Sequence, residues 1–158
     1  MFREIMGLPA HALLVHAAVA SVPLLVLAAI AYALVPRFRP RVGWLAGILA
    51  VGAVGAVYLA KESGEELQRV LVARGYQAEI LDQVAKHQGY ADKLFWWTLG
   101  LGVMTLLLLA ATGPRARAVP GWLGWLLSGA VVALGVAAAV YVYLTGDSGA
   151  QAVWRGVL

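Results

Sequence analysis

Four long apolar stretches dominate the chain, and no acidic or basic residue interrupts any of them. They cover residues 12–35, 42–60, 94–112 and 122–144. A bilayer hydrocarbon core about 30 Å thick requires about 20 apolar residues of helix. The pattern therefore predicts an all-α integral membrane protein, a four-transmembrane-helix bundle that forms a single membrane domain over residues 1–158.

A longer polar segment, residues 61–93, separates the second apolar stretch from the third. Ser63 followed by Glu66 resembles a capping box and predicts the start of a short helix. Gly75 is a suitable residue to end that helix, and a second helix is predicted to begin near Gln77 and to run into the third span. We therefore expect a small helical cap between transmembrane helices 2 and 3.

Basic residues predict which side of the membrane each loop occupies. Residues 36–41 carry three arginines and residues 113–121 carry two, whereas residues 61–93 carry five basic and six acidic residues. By the positive-inside rule the arginine-rich loops face the cytoplasm, so the helical cap and both termini are extracytoplasmic. Aromatic residues expected at the membrane borders are Trp44, Trp122 and Trp125 on the inner side and Tyr58, Trp96, Trp97, Tyr141 and Tyr143 on the outer side.

Composition narrows the class of protein further. The chain is 62% hydrophobic and contains no cysteine, which excludes disulfides, c-type haem attachment and thiolate-held metals or clusters. The basic residues flank the spans and indicate orientation, with no nucleic-acid partner. The abundance of arginine, glycine and alanine favours a bacterial source, so we expect a multi-pass protein of the bacterial inner membrane whose first span is retained and not cleaved as a signal peptide.

All three histidines fall at predicted extracytoplasmic ends of helices. His11 and His16 open the first span, and His87 precedes the third. Asp147 follows the fourth span and Glu65 follows the second, so the topology brings these side chains to one face of the membrane. Imidazole and carboxylate groups without sulfur suit Zn, Cu, Fe or Mn. The sequence therefore predicts a metal-ion site with His16, His87 and Asp147 as ligands.

Other polar residues are candidates for the same site. His11 and Glu65 are the next candidate ligands, or partners that orient an imidazole. On a helix, His11 and His16 point about 140° apart, so they cannot chelate one ion as residues four apart do. The remaining candidates for supporting or capping the site are Ser148, Asp92 and Glu62.

Two alternative functions stay open. A b-type haem held by His16 and His87 would make an electron-transfer protein, although His87 lies seven residues before its span while His16 lies inside the first. The second alternative is a non-enzymatic accessory subunit with a structural polar cap, which packs against other membrane subunits or a second copy. A transporter made of two inverted two-helix halves is disfavoured because no charged residue lies mid-span.

Ladders of small residues favour close packing of the second and fourth helices. The ladders are Gly43, Gly47 and Gly55, then Gly52, Ala56 and Ala60, and in the fourth span Gly129, Ala133 and Ala137.

No metalloprotease motif, glycine-rich phosphate loop or catalytic triad is evident, so the sequence leaves enzymatic activity undecided.

Three short motifs, taken in order, resemble a known bacterial membrane family, domain of unknown function 2231. They are residues 8–11 with His16, then His87 with Asp92, and finally residues 146–154, which read GDSGAQAVW. The resemblance covers essentially the whole chain and implies the four-span architecture. The family has no defined function, so the resemblance leaves the mechanism open. Some relatives are fused to Rieske iron–sulfur domains, which lends weight to a redox role by analogy.

Overall fold

A computed structural model describes residues 4–5, 8–113 and 120–154, with residues 4–5 and 8–9 described by their backbone. Strands β1 (Glu4–Ile5) and β2 (Leu8–Pro9) form a two-residue antiparallel pair in front of the first helix. Four helices follow in the described part of the chain. Each is long and apolar enough to span a membrane, which confirms the predicted architecture. The helices are α1 (Ala10–Leu34), α2 (Arg39–Ala73), α3 (Ala78–Thr112) and α4 (Gly121–Trp154).

The helices pack in a ring in chain order. Helix α1 contacts α2 and α4, α3 also contacts α2 and α4, and α1 and α3 occupy diagonal corners. A short 3-10 turn, Pro36–Phe38, joins α1 to α2. Fully buried Val22, Leu25, Leu101 and Val131 fill the centre of the bundle.

The two ends of the bundle differ in chemistry. One end holds the start of α1 with His11, and we call it the histidine end. The other holds the 3-10 turn with Arg37, Arg39 and Arg41, and we call it the arginine end. From His11 to Leu34, α1 rises about 35 Å, slightly more than a hydrocarbon core about 30 Å thick. The histidine and arginine ends therefore lie near opposite borders of a bilayer.

Alanine and glycine let α2 and α3 approach closely. Ala46, Ala50 and Ala53 on α2 are buried. A Cβ added to Gly102 of α3 would lie 2.7 Å from the carbonyl oxygen of Ala50, so the α3 backbone touches α2 there. Gly43, which belongs to one of the small-residue ladders predicted from the sequence, packs against the Tyr32 ring. Three other ladder glycines face open space, namely Gly52, Gly55 and Gly129.

The predicted cap consists of extensions of α2 and α3 beyond the histidine end. The capping-box prediction was wrong because Ser63 lies inside α2, where its hydroxyl donates to the carbonyl of Ala60 at 2.8 Å. The predicted glycine stop is confirmed: α2 ends at Ala73, and Gly75 adopts a φ of 70°. Helix α3 begins directly after Gln77, as predicted, and is continuous into the membrane segment.

The close contact at Gly102 predicts a sharp positional effect of adding one methyl group. Gly102→Ala should destabilise the bundle by about 1–3 kcal/mol, since the new Cβ meets backbone that cannot move aside cheaply. Gly129→Ala, which faces open space, should leave stability almost unchanged. Thermal unfolding of both variants in one detergent measures the difference, and equal melting temperatures would contradict the packing described here.

Candidate functional site

Two of the three histidines meet inside the histidine end. His11 comes from the first turn of α1 and His87 from α3, the diagonally opposite helix. Their ring centroids lie 6.2 Å apart, and the ring planes are inclined at 77°. Both side chains are partly buried. The bundle therefore places one imidazole from each of its two helical hairpins near its central axis.

The His11 ring is held by α2. Its Nδ1 atom lies 3.0 Å from the carbonyl oxygen of Ala60 and 3.2 Å from the hydroxyl oxygen of Ser63. A carbonyl can only accept a hydrogen bond, so Nδ1 carries the proton and donates it. The Ser63 hydroxyl donates its own hydrogen bond to the Ala60 carbonyl, so the Ser63 oxygen can accept the one from His11.

The His87 ring is held by α4 in the same way. Its Nδ1 atom lies 3.0 Å from the carbonyl oxygen of Thr145 and 3.1 Å from the hydroxyl oxygen of Ser148. The Ser148 hydroxyl in turn donates to the Thr145 carbonyl at 3.1 Å. In a neutral ring with Nδ1–H, the lone pair is on Nε2. Both imidazoles are therefore arranged to present an unprotonated Nε2.

Two glycines make room for the rings. A Cβ at Gly64 would lie 3.0 Å from Cε1 of His11, and a Cβ at Gly149 would lie 3.0 Å from Cε1 of His87. Each glycine directly follows the serine that accepts from the ring. The backbones of α2 and α4 thus pack against the two imidazoles.

The two helical hairpins, α1–α2 and α3–α4, contribute equivalent sets of residues to the site. Each hairpin supplies a histidine from its first helix and an acid–Ser–Gly tripeptide from its second, residues 62–64 in one case and residues 147–149 in the other. The histidine and the serine are 52 residues apart in the first hairpin and 61 in the second. Both hairpins run from the histidine end to the arginine end and back, so the halves are related in the same sense and are not inverted.

His16 lies apart from this pair. It is exposed, and its Nδ1 donates to the carbonyl of Ala12 in its own helix at 2.7 Å. The structure therefore does not bring together the His16–His87 pair considered for haem, and His11 stands in that place. In the repeat, His16 corresponds to Asp92, since each lies five residues after its hairpin's histidine.

The predicted carboxylate ligands Glu65 and Asp147, and the predicted supporting residue Asp92, are engaged elsewhere. Glu65 is ion-paired with Lys61 and lies 3.8 Å from Arg69. Asp92 lies 3.4 Å from the same Lys61, which links α3 to α2. Asp147 is exposed and accepts a hydrogen bond of 2.7 Å from Gln151. Within residues 8–113 and 120–154, no three His, Cys, Asp or Glu side chains are grouped closely enough to hold a metal ion.

Sequence reasoning missed several residues that shape the site. Ser63 was interpreted as a helix cap, and Gly64 and Gly149 were given no role. The signal that identifies them is the repeated acid–Ser–Gly tripeptide, which occurs near the end of the second helix in both hairpins. Ser148, predicted as a supporting residue, does contact His87.

The role of the two glycines can be tested by adding a methyl group at each. Gly64→Ala and Gly149→Ala should each displace the neighbouring imidazole and destabilise the bundle by about 1–3 kcal/mol. Gly146→Ala is the matched control, because a Cβ there has open space around it. Thermal unfolding and histidine side-chain ¹⁵N NMR report stability and the Nδ1–H tautomer, and an unchanged His11 signal in Gly64→Ala would contradict the contact.

The sequence comparisons agree with this architecture. Residues 7–158 match the family model described as "Predicted membrane protein (DUF2231)". No curated protein and no solved structure matches the chain significantly. The matched region includes all four helices and both histidine–serine pairs. This chain belongs to the DUF2231 family of predicted membrane proteins.

Proposed function

We propose that this membrane protein binds a single copper ion between His11 and His87 at the histidine end of the bundle. The observation that carries the proposal is a pair of imidazoles whose Nδ1 protons are both directed away from the pair, toward α2 and α4. Because α2 and α4 occupy opposite corners, we infer that the two Nε2 lone pairs are directed toward the central axis. Two facing lone pairs repel each other unless a hydrogen-bond donor or a cation lies between them, and a metal ion meets this need.

The separation of the rings favours a metal ion over a shared proton. Two metal–nitrogen bonds of about 2.0 Å, with about 1.1 Å from each nitrogen to its ring centre, span about 6.2 Å. A hydrogen bond of about 2.9 Å between the same nitrogens would bring the ring centres to about 5.1 Å. The 6.2 Å separation of the centroids corresponds to the first value.

Affinity favours copper over zinc, because copper binds nitrogen ligands most tightly among the divalent first-row metals. With only two protein ligands the coordination sphere is open, a property of sites that exchange or react and not of purely structural ones. We infer a site that takes up and releases copper.

Orientation is part of the proposal. The positive-inside rule assigns the arginine end to the cytoplasm of a bacterial cell, so the copper site and both termini would face the extracytoplasmic side. Zn, Fe or Mn bound by the same pair would be a different outcome of the experiment below. A b-type haem with His11 and His87 as axial ligands would be a further outcome of that experiment, because a 6.2 Å separation of the rings also suits a haem. The backbones of α2 and α4 against both rings favour an ion, since a macrocycle needs wide clear space.

The test is metal analysis of untagged protein purified in mild detergent from copper- and haem-replete cells. We expect about one copper per chain and no Soret band. His11→Asn and His87→Asn should each weaken copper binding by at least about tenfold. Asparagine can still donate from near the Nδ1 position but has no atom at Nε2, so the contact to the carbonyl survives.

His16→Asn is the matched control and should retain copper, because His16 lies outside the pair. Copper retained in both His11→Asn and His87→Asn would overturn the proposal. A Soret band lost in those variants would replace it with haem. Protein that is folded yet binds no metal at all would favour the purely structural cap.

A further inference from the structure

The arginine end of the bundle carries positive charge, and no ion pair among the described residues neutralises it. Arg37, Arg39 and Arg41 lie within five residues of one another where α1 turns into α2. No acidic residue occurs in residues 5–61 or 93–146, ranges that include the whole arginine end. Within residues 8–113 and 120–154, the ion pairs join Lys61 and Arg69 to acidic residues at the opposite end.

The three arginines are used differently. Arg39 donates from Nε to the carbonyl of Tyr32 at 3.2 Å, and its guanidinium lies 5.4 Å from the centre of the Tyr32 ring. It therefore caps the end of α1. Arg37 and Arg41 are exposed, and Arg37 lies over the ring of Phe38 at 5.2 Å. Neither guanidinium group is ion-paired with a residue that the structure describes, so both can bind an anion.

The surrounding surface indicates that the anion belongs to a lipid. Trp44, Trp122 and Trp125 are 66%, 67% and 80% exposed near the same end of the bundle. Exposed tryptophan rings at a helix end are typical of the headgroup level of a bilayer. An anion held by Arg37 and Arg41 at that depth is positioned where lipid phosphates lie.

We propose that the start of α2 is a binding site for the phosphate of an anionic lipid headgroup, held by Arg37 and Arg41. Each basic residue near an anionic membrane surface contributes about fivefold in affinity. Arg37→Gln combined with Arg41→Gln should therefore weaken the binding of phosphatidylglycerol or cardiolipin by about 25-fold.

Native mass spectrometry of the detergent-solubilised chain, titrated with phosphatidylglycerol or with phosphatidylcholine, measures this effect. We expect tighter binding of phosphatidylglycerol and loss of that preference in the double variant. The matched control is Arg74→Gln with Lys86→Gln. It removes two exposed charges from the extensions of α2 and α3 beyond the histidine end and should leave the preference intact.

Three results would overturn the proposal. One is equal binding of the two lipids by the unmodified chain, and another is an equal loss in the control variant. The third is an equal rise in melting temperature with inorganic phosphate and with phosphatidylglycerol, which would assign the site to a free anion. Because the site is at the far end of the bundle from His11, its failure leaves the copper proposal untouched.

Discussion

Close approach of helix backbones is the constraint on which the rest of this structure depends. In a bilayer there is no hydrophobic force between apolar helices, so packing contacts must hold the bundle together. Gly102 lets α3 touch the α2 backbone at Ala50, and Gly135 lets α4 pack against Ile30 of α1. At the histidine end, Gly64 and Gly149 apply the same device to imidazole rings. The glycines that allow packing thus also position the site.

The histidine site shows how a small bundle can set the chemistry of two side chains without a ligand cluster from one helix. Each imidazole bonds to a carbonyl and a serine of its own hairpin, so its orientation depends on local pairing. The relation between the two rings depends instead on how the hairpins pack against each other. A change in hairpin packing would therefore alter the ring separation without breaking the contacts of either ring.

Charge is distributed unevenly between the two ends of the bundle. Among the described residues, the ion pairs lie at the histidine end and include the Lys61–Asp92 link between α2 and α3, whereas the sequence of the arginine end contains no acidic residue. Acidic partners neutralise cations at one end, and at the other the proposed partner is the negative charge of the lipid headgroups. The two proposals follow from this asymmetry, since a metal cation suits lone pairs and a lipid phosphate suits guanidinium groups.

The sequence by itself determined the class of fold. Four uncharged apolar stretches can satisfy their backbone in lipid only as helices, so the bundle, the stop at Gly75 and the start of α3 after Gln77 were predictable. These features depend on residues close together in the chain, where helix geometry relates sequence to position directly.

Tertiary structure decided which polar residues meet. Sequence reasoning chose His16 as the partner of His87, yet the ring that lies next to His87 is that of His11. It also assigned Ser63 to a helix cap, whereas the continuous α2 makes that serine a partner of His11. The physical reason is that the angle at which two helices face each other depends on side-chain packing between distant segments, which the local pattern of either helix does not contain.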